Sequence, residues 1–372
     1  MDTWEWLAVN ALPGVGPQRI AQLVAQQPAW PHGWLAGLPS KAASALRLWC
    51  DHPSKSPLQQ VVQASLDWQS GAPGRAILHR DHPAWPALLS ELPDPPPVLW
   101  AQGDLGALER PTLAMVGTRR PTAEGAHNAQ IFARELARRG WCIVSGMALG
   151  IDGVAQQAAL DAGGSSVAVL GCGIDVIYPA RHRALYQQLS ESPGGLVLAE
   201  HPPGTVAHPA FFPRRNRIVT GLSLGTLVVE AAEKSGSLVS ARLAMEQGRD
   251  VFALPSSLHN QQARGCLQLL RQGAAMACDP EDIVNELHHW ASEFLPPALN
   301  EAQASSAAPE RPVDEPLPDS LLGFLSASPT PIDALVQQSG STVSECQQRL
   351  LMLEIDGWVA SRAGGWVRLP RP

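Results

Sequence analysis

The chain has 372 residues with 45% apolar and 16% charged side chains, a balance that excludes wholesale disorder and gives length for two or three domains. Its net charge of −7 argues at first sight against a polyanionic partner, but the charge is uneven: Arg110 to Arg271 carries 16 Lys+Arg against 11 Asp+Glu, or +5, and the remainder carries −12. No apolar run reaches the roughly 18 residues of a membrane span, and the N-terminus lacks a basic segment followed by an apolar one, so the sequence reads as soluble and cytoplasmic.

In chain order, Trp4 to Leu66 reads as short helices broken by Pro and Gly. Inside it, Leu12-Pro13-Gly14-Val15-Gly16-Pro17 followed by Ile20 has the pattern of a helix-hairpin-helix turn, whose backbone N–H groups can hold a DNA phosphate. A plain turn between packed helices fits the same residues, and the surrounding Asp2 and Glu5, with only Arg19 nearby, leave the choice open. Ala72 to Pro111 reads as a Pro-rich connector containing Pro95, Pro96 and Pro97.

Between Pro111 and Trp290, short apolar runs alternate with longer amphipathic ones, the signature of a parallel sheet covered by helices. Strands are expected at Leu113 to Val116, Cys142 to Val144, Ser166 to Leu170, Leu196 to Ala199, Thr226 to Val229 and Val251 to Leu254, with helices between them. The fold class is therefore α/β, a Rossmann-like doubly wound, mostly parallel sheet. Pro296 to Pro318 reads as a flexible linker, and Leu321 to Leu369 resumes apolar periodicity as helix, turn, helix and hairpin, a winged-helix pattern. Its second helix carries only Arg349 beside Glu345 and Glu354, so contact with protein is at least as well supported as duplex readout. The expected bounds are 1–70 helical, 71–110 connector, 111–292 Rossmann-like, 293–318 linker and 319–372 winged-helix-like. The six cysteines lack the two-residue spacing of a zinc knuckle and read as reduced thiols; no metal or cofactor is expected.

Ligands of open α/β sheets sit beyond the carboxyl ends of the strands. The first such turn, Gly117-Thr118-Arg119-Arg120, offers backbone N–H groups, a hydroxyl and two guanidinium groups to phosphate; the second is Ser145-Gly146-Met147-Ala148; the third runs from Gly171 and Gly173 to Tyr178 and Arg181. None matches a dinucleotide or P-loop fingerprint. Phe211-Phe212-Pro213-Arg214-Arg215-Asn216-Arg217 joins aromatics to cations, the combination that stacks on unpaired bases and neutralises phosphates. Core packing of the two Phe with solvated arginines is the plainer alternative, but cations at a helix start oppose its dipole unless an anion is present.

The segments MVGTRRPT (115–122), IVSGMALGID (143–152), AVLGCGIDVIYPARH (168–182), FFPRRNRIVTGLS (211–223), VVEAAEKSGSLVSARLAMEQGRDVFALP (228–255) and RQGA (271–274) resemble the DprA/Smf family of DNA-processing proteins. The resemblance implies a Rossmann-like core that binds single-stranded DNA, forms homodimers, and loads the recombinase RecA onto the strand while helping displace single-strand-binding protein. It implies strand contacts at Gly117, Thr118 and Arg119, a phosphate nest at Ser145, Gly146, Met147 and Ala148, and completion of the pocket by Arg215, Asn216 and Arg217. Lys234, Ser235, Gly236 and Ser237 should lie on the same rim, and Arg120, Gly171, Gly173, Phe211 and Arg214 join the expected DNA-binding set. Pro255-Ser256 and Leu267 to Leu270 depart from the family's usual residues, and the N-terminal region resembles a SAM-like helical domain.

An enzymatic rival is the related nucleotide phosphoribohydrolase core, with its Pro-Gly-Gly-x-Gly-Thr-x-x-Glu motif. Here Gly221 to Glu230 lacks the Pro-Gly-Gly and places Glu230 one residue too far, so no catalytic residue is expected. A scaffold whose pocket binds a small anion is a third reading.

Overall fold

Runs such as Leu113 to Val116 and Val167 to Leu170, apolar at every position, suit strands covered on both faces, because successive side chains point to opposite sides. A computed structural model describes residues 1–291, 319–326, 329–362 and 364–369. The chain divides into two compact units, Met1–Asn300 and Glu301–Pro372. The expected linker at 293–318 lies outside the described residues.

The first unit begins with helices α1 (Thr3–Asn10), α2 (Pro17–Val24), α3 (His32–Gly37), α4 (Ser40–Asp51) and α5 (Pro57–Ser70). Strand β1 (Arg75–Leu78), helix α6 (Ala87–Ser90) and strand β2 (Leu99–Gly103) follow. Then come β3 (Thr112–Val116), α7 (Ala123–Arg138), β4 (Cys142–Ser145), α8 (Ile151–Asp161), β5 (Ser165–Gly173), α9 (Arg183–Glu191) and β6 (Gly195–His201). The unit closes with α10 (Phe211–Gly221), β7 (Gly225–Val228), α11 (Ser237–Glu246), β8 (Asp250–Ala253), α12 (Arg264–Arg271), β9 (Ala275–Met276) and α13 (Pro280–Ala291).

All six expected strands form, and residues 71–110 add two more. These pair with the core sheet: β1 lies antiparallel to β2, and β2 antiparallel to β6. The Pro95–Pro97 run occupies the stretch between α6 and β2, which leaves both strands free of proline. The nine-stranded order is β1-β2-β6-β5-β4-β3-β7-β8-β9, parallel from β6 to β9. Residues of α10, α11 and α12 cover one face around Val116, Val144 and Val169. On the other, α7, α8 and α13 cover Met115 and Ile143. The N-terminal helices and α9 extend that layer over Ile77, Trp100 and Leu170.

The chain runs outward from β3 through β4, β5 and β6, then returns to place β7 on the other side of β3. The direction of winding therefore reverses between β3 and β7, and a crevice opens at their carboxyl ends.

The second unit contains a short 3₁₀ turn (Ser320–Gly323), α14 (Ile332–Ser339), α15 (Val343–Ile355) and a hairpin of β10 (Val359–Arg362) and β11 (Gly365–Arg368), the winged-helix order. Leu321, Leu335, Leu350 and Leu353 form its core. Thr342 caps α15 with a reciprocal capping box to Glu345.

Candidate functional site

The crevice at the β3/β7 switch point has a volume of about 520 Å³ and is walled by the turns after β3, β4 and β7, by Tyr178 and by one face of α10. Helical phase decides what α10 contributes. Phe212, Arg215, Asn216 and Val219 recur at the three- and four-residue spacing of one stripe and line the crevice. Phe211, Arg214 and Arg217 point elsewhere. Phe211 packs on His201, centroids 4.0 Å apart, and on His208 at 5.4 Å. Arg217 is buried and ion-paired to Glu200 and, at 3.0 Å, to Asp94; Arg214 lies 3.9 Å from Glu200. Of the residues expected to contact the strand, Phe211, Arg214 and Arg217 therefore lie off the crevice stripe, and the guanidinium of Arg217 already holds two carboxylates.

The second turn also differs from expectation. The Gly146 and Ala148 N–H groups donate to the Asp152 carboxylate at 3.1 and 3.4 Å, and the Met147 N–H donates to Gln156 Oε1 at 3.0 Å. Asp152, in the first turn of α8, takes the place an external anion would occupy. Ser145 turns inward, its hydroxyl donating to the Met115 carbonyl at 2.6 Å, and the Met147 side chain is buried, so this turn is not an open phosphate nest. Gly146 and Ala148 still line the crevice with backbone. Gly146 must stay small because an added Cβ would strike the Arg215 guanidinium.

Arg215 is a buried floor cation, donating to the Val169 carbonyl. Desolvation pulls it down to about 10, opposed by the Asp152 carboxylate, so it stays charged at neutral pH. Desolvation likewise pushes Asp152 up, opposed by Arg215 and by the backbone N–H groups it accepts.

At the rim, Arg119 is exposed and, among the described residues, has no hydrogen bond or ion pair. Arg120 and Lys234 are also exposed, without side-chain partners among the described residues, but lie outside the lining. Gly117 and Thr118 line the crevice opposite Ser235, Gly236 and Ser237, which open α11 and turn its N-terminus toward the cavity. Ser235 and Ser237 hydroxyls are 2.9 Å apart. Gly171 lies beneath Phe212, where an added Cβ would meet the ring at 2.7 Å. Gly173 is set aside, its N–H bound to the Thr205 carbonyl at 2.8 Å.

Two residues that sequence reasoning left out of the binding set complete the wall. Tyr178, 47% exposed, and Phe212 lie with ring centroids 5.2 Å apart and present aromatic faces beside the cations. Both stood in quoted segments, but adjacency to Phe211 made the choice a matter of helix phase.

Glu230 accepts from Thr122 N–H at 2.8 Å, Thr122 Oγ1 at 2.7 Å and Asn260 Nδ2 at 3.3 Å, and it is buried. Its carboxylate fastens the start of α7 to the turn after β7. On the second unit, Arg349 pairs with Asp319 at 2.7 Å, so the one cation of α15 is consumed, while Leu351, Met352 and Ile355 are exposed. The Leu12–Pro17 turn forms between α1 and α2, with Val15 buried and its N–H bound to the Leu12 carbonyl.

A sequence model of the family described as DNA recombination-mediator protein A matches residues 76–288, and one described as DprA winged helix domain matches 304–365. A protein named Smf from Escherichia coli is 39% identical over 377 residues, covering 100% of this chain and 97% of that protein. A DNA processing protein DprA from Bacillus subtilis is 41% identical over 59% of this chain and 73% of its own length. Among solved structures, DprA from Streptococcus pneumoniae matches with a TM-score of 0.62 and 31% identity, over 77% of this chain and 98% of that one. The DNA processing protein A from Helicobacter pylori, studied for its single-stranded DNA binding mode, matches with a TM-score of 0.53 and 34% identity, over 58% and 97% of the two chains.

Proposed function

Because the chain belongs to the DNA recombination-mediator protein A family, the DprA/Smf proteins, we propose that its switch-point crevice holds single-stranded DNA. The observation that carries this reading is Arg119, without a partner among the described residues, at the rim of a crevice that also presents the Tyr178–Phe212 aromatic pair. Unpaired bases stack on aromatic faces without regard to sequence, and the backbone phosphates meet Arg119, the α11 N-terminus and the field of buried Arg215. Duplex DNA keeps its bases stacked inside and offers the two rings nothing. The Helicobacter pylori relative, whose single-stranded DNA binding mode has been studied, supports the same substrate.

The reading is non-catalytic. Glu230, the carboxylate a nucleotide hydrolase would need, has its oxygens occupied by Thr122 and Asn260. Loading of RecA onto the bound strand, displacement of single-strand-binding protein, homodimer formation and action in the cytoplasm belong to the same proposal and rest on family membership.

Fluorescence anisotropy with labelled single-stranded and duplex oligonucleotides of equal length, at two salt concentrations, tests it. Tighter binding to the single strand, weakening steeply with salt as counterions are released, is expected. Equal affinity for both forms, or none for either, refutes it.

A further inference from the structure

A second cavity, of about 320 Å³, opens between α2 and the Pro-rich segment before β2, with no lining residue in common with the switch-point crevice. Most of its lining residues are apolar. Ile20 and Val24, one turn apart on α2, face Trp6, Trp85 and the Pro95–Pro97 run. Both indole N–H groups are already satisfied, Trp6 by Asp81 at 2.8 Å and Trp85 by the Ser90 hydroxyl at 2.9 Å, so they present carbon to the cavity. The proline run contributes carbonyl acceptors and no N–H donors.

One charge breaks this pattern. Arg80 lines the cavity, is exposed, and has no hydrogen bond or ion pair among the described residues. The acids around it are spoken for: Asp81 by the N-terminal ammonium at 3.1 Å, Glu91 by Arg249 at 2.6 Å, and Asp94 by Arg217 at 3.0 Å. A guanidinium left without a carboxylate beside several partnered ones is complementary to an anion brought by a ligand.

We propose that this cavity is a binding site for the carboxyl terminus of a partner peptide that ends in a large apolar residue. The terminal side chain fills the slot between Trp85 and the α2 face. Its carboxylate pairs with Arg80, and its backbone N–H donates to the proline-run carbonyls. A small apolar acid lacks those N–H donors. A DNA strand brings one phosphate per nucleotide to a cavity lined, among the described residues, by one cation with several carboxylates nearby, and Trp6, 3% exposed, has no open face for a base. The size fits one or two residues, at the lower end of the range for ligand pockets.

The test titrates full-length chain into a fluorescein-labelled Gly-Gly-Leu-Phe peptide with a free carboxylate, and into the same peptide as its C-terminal amide. Saturable anisotropy with the acid, at least tenfold weaker with the amide and with Arg80→Ala, supports the site. Val24→Glu, at a half-buried position of the wall, should abolish binding. Circular dichroism and unchanged single-stranded DNA affinity in both variants establish that they fold. Equal binding of acid and amide, binding insensitive to Arg80→Ala, or no binding at millimolar peptide overturns the proposal. Displacement of the peptide by oligothymidylate, with DNA affinity lowered in Arg80→Ala, would assign the cavity to DNA instead and equally overturns it.

Discussion

Two arginines of the expected DNA-binding set, Arg119 and Arg217, are predicted to behave in opposite ways when truncated. Arg119 is exposed and unpartnered among the described residues, so Arg119→Ala removes only what the bound strand would supply. A hydrogen bond to a charged group contributes about 1.5–3 kcal/mol, so the affinity for single-stranded DNA should fall about 10- to 150-fold. The slope of log affinity against log salt should shrink by about 0.7, one phosphate's worth. Stability should stay within about 0.5 kcal/mol of the wild type, as for a surface substitution. Arg217 is the contrary case. Its side chain is 6% exposed and Glu200 opposite is 7% exposed, so Arg217→Ala strips that buried carboxylate of its main partner and leaves it only the half-exposed Arg214, 3.9 Å away. Removing one partner of such a pair costs about 3–5 kcal/mol, which urea denaturation reads as a lower midpoint with an unchanged slope. DNA affinity per folded molecule should hold. Wild-type affinity in Arg119→Ala, or an Arg217→Ala protein that keeps its stability and loses DNA, would refute the reasoning.

Phe212→Ala and Tyr178→Ala should each weaken single-stranded DNA binding by about 1–3 kcal/mol through lost stacking, whereas Phe211→Ala, whose ring packs on His201, should leave anisotropy titrations unchanged. Glu230→Gln should lower stability by about 1–3 kcal/mol in thermal unfolding, because one oxygen of the acceptor pair serving Thr122 becomes an amide. Neither that variant nor the wild type should release base from a nucleoside monophosphate, and base release lost with Glu230→Gln would revive the hydrolase reading. Burial holds His79 below its usual range near 6.5, partly countered by Asp81. The unfolded chain therefore takes up that proton first, and the stability His79 contributes above about pH 6.5 is lost as pH falls through its lower folded value. His79→Asn should show a shallower loss between pH 7.5 and 5.5, measured by urea midpoints, and equal slopes would contradict this.

The sheet was legible because a strand buried on both faces must be apolar at every position, and Leu113 to Val116 or Leu196 to Ala199 admit little else. Strands β1 and β2 were hidden by their neighbours, since Pro95 to Pro97 dominate the composition of a stretch whose flanks pair with the sheet. The site was legible as a set of turns and less so as a set of side chains. Nothing in Phe211-Phe212 or Arg215-Asn216-Arg217 fixes the phase of α10, and that phase separates lining residues from those facing Glu200. Arg217 finds Asp94 more than a hundred residues earlier, a pairing that local reading does not reach. The closure of the second turn did carry a signal: Asp152 follows Gly150 in the first turn of a helix, where a carboxylate accepts free N–H groups and competes with any external anion.

The most direct test of the central claim is to map where the strand lies. Oligothymidylate carrying 5-iodouracil, photocrosslinked to the full chain and read by peptide mass spectrometry, should place its adducts on Tyr178 or Phe212. Adducts confined to residues 1–70 or to the 319–369 region would show that the strand binds elsewhere and would contradict the account.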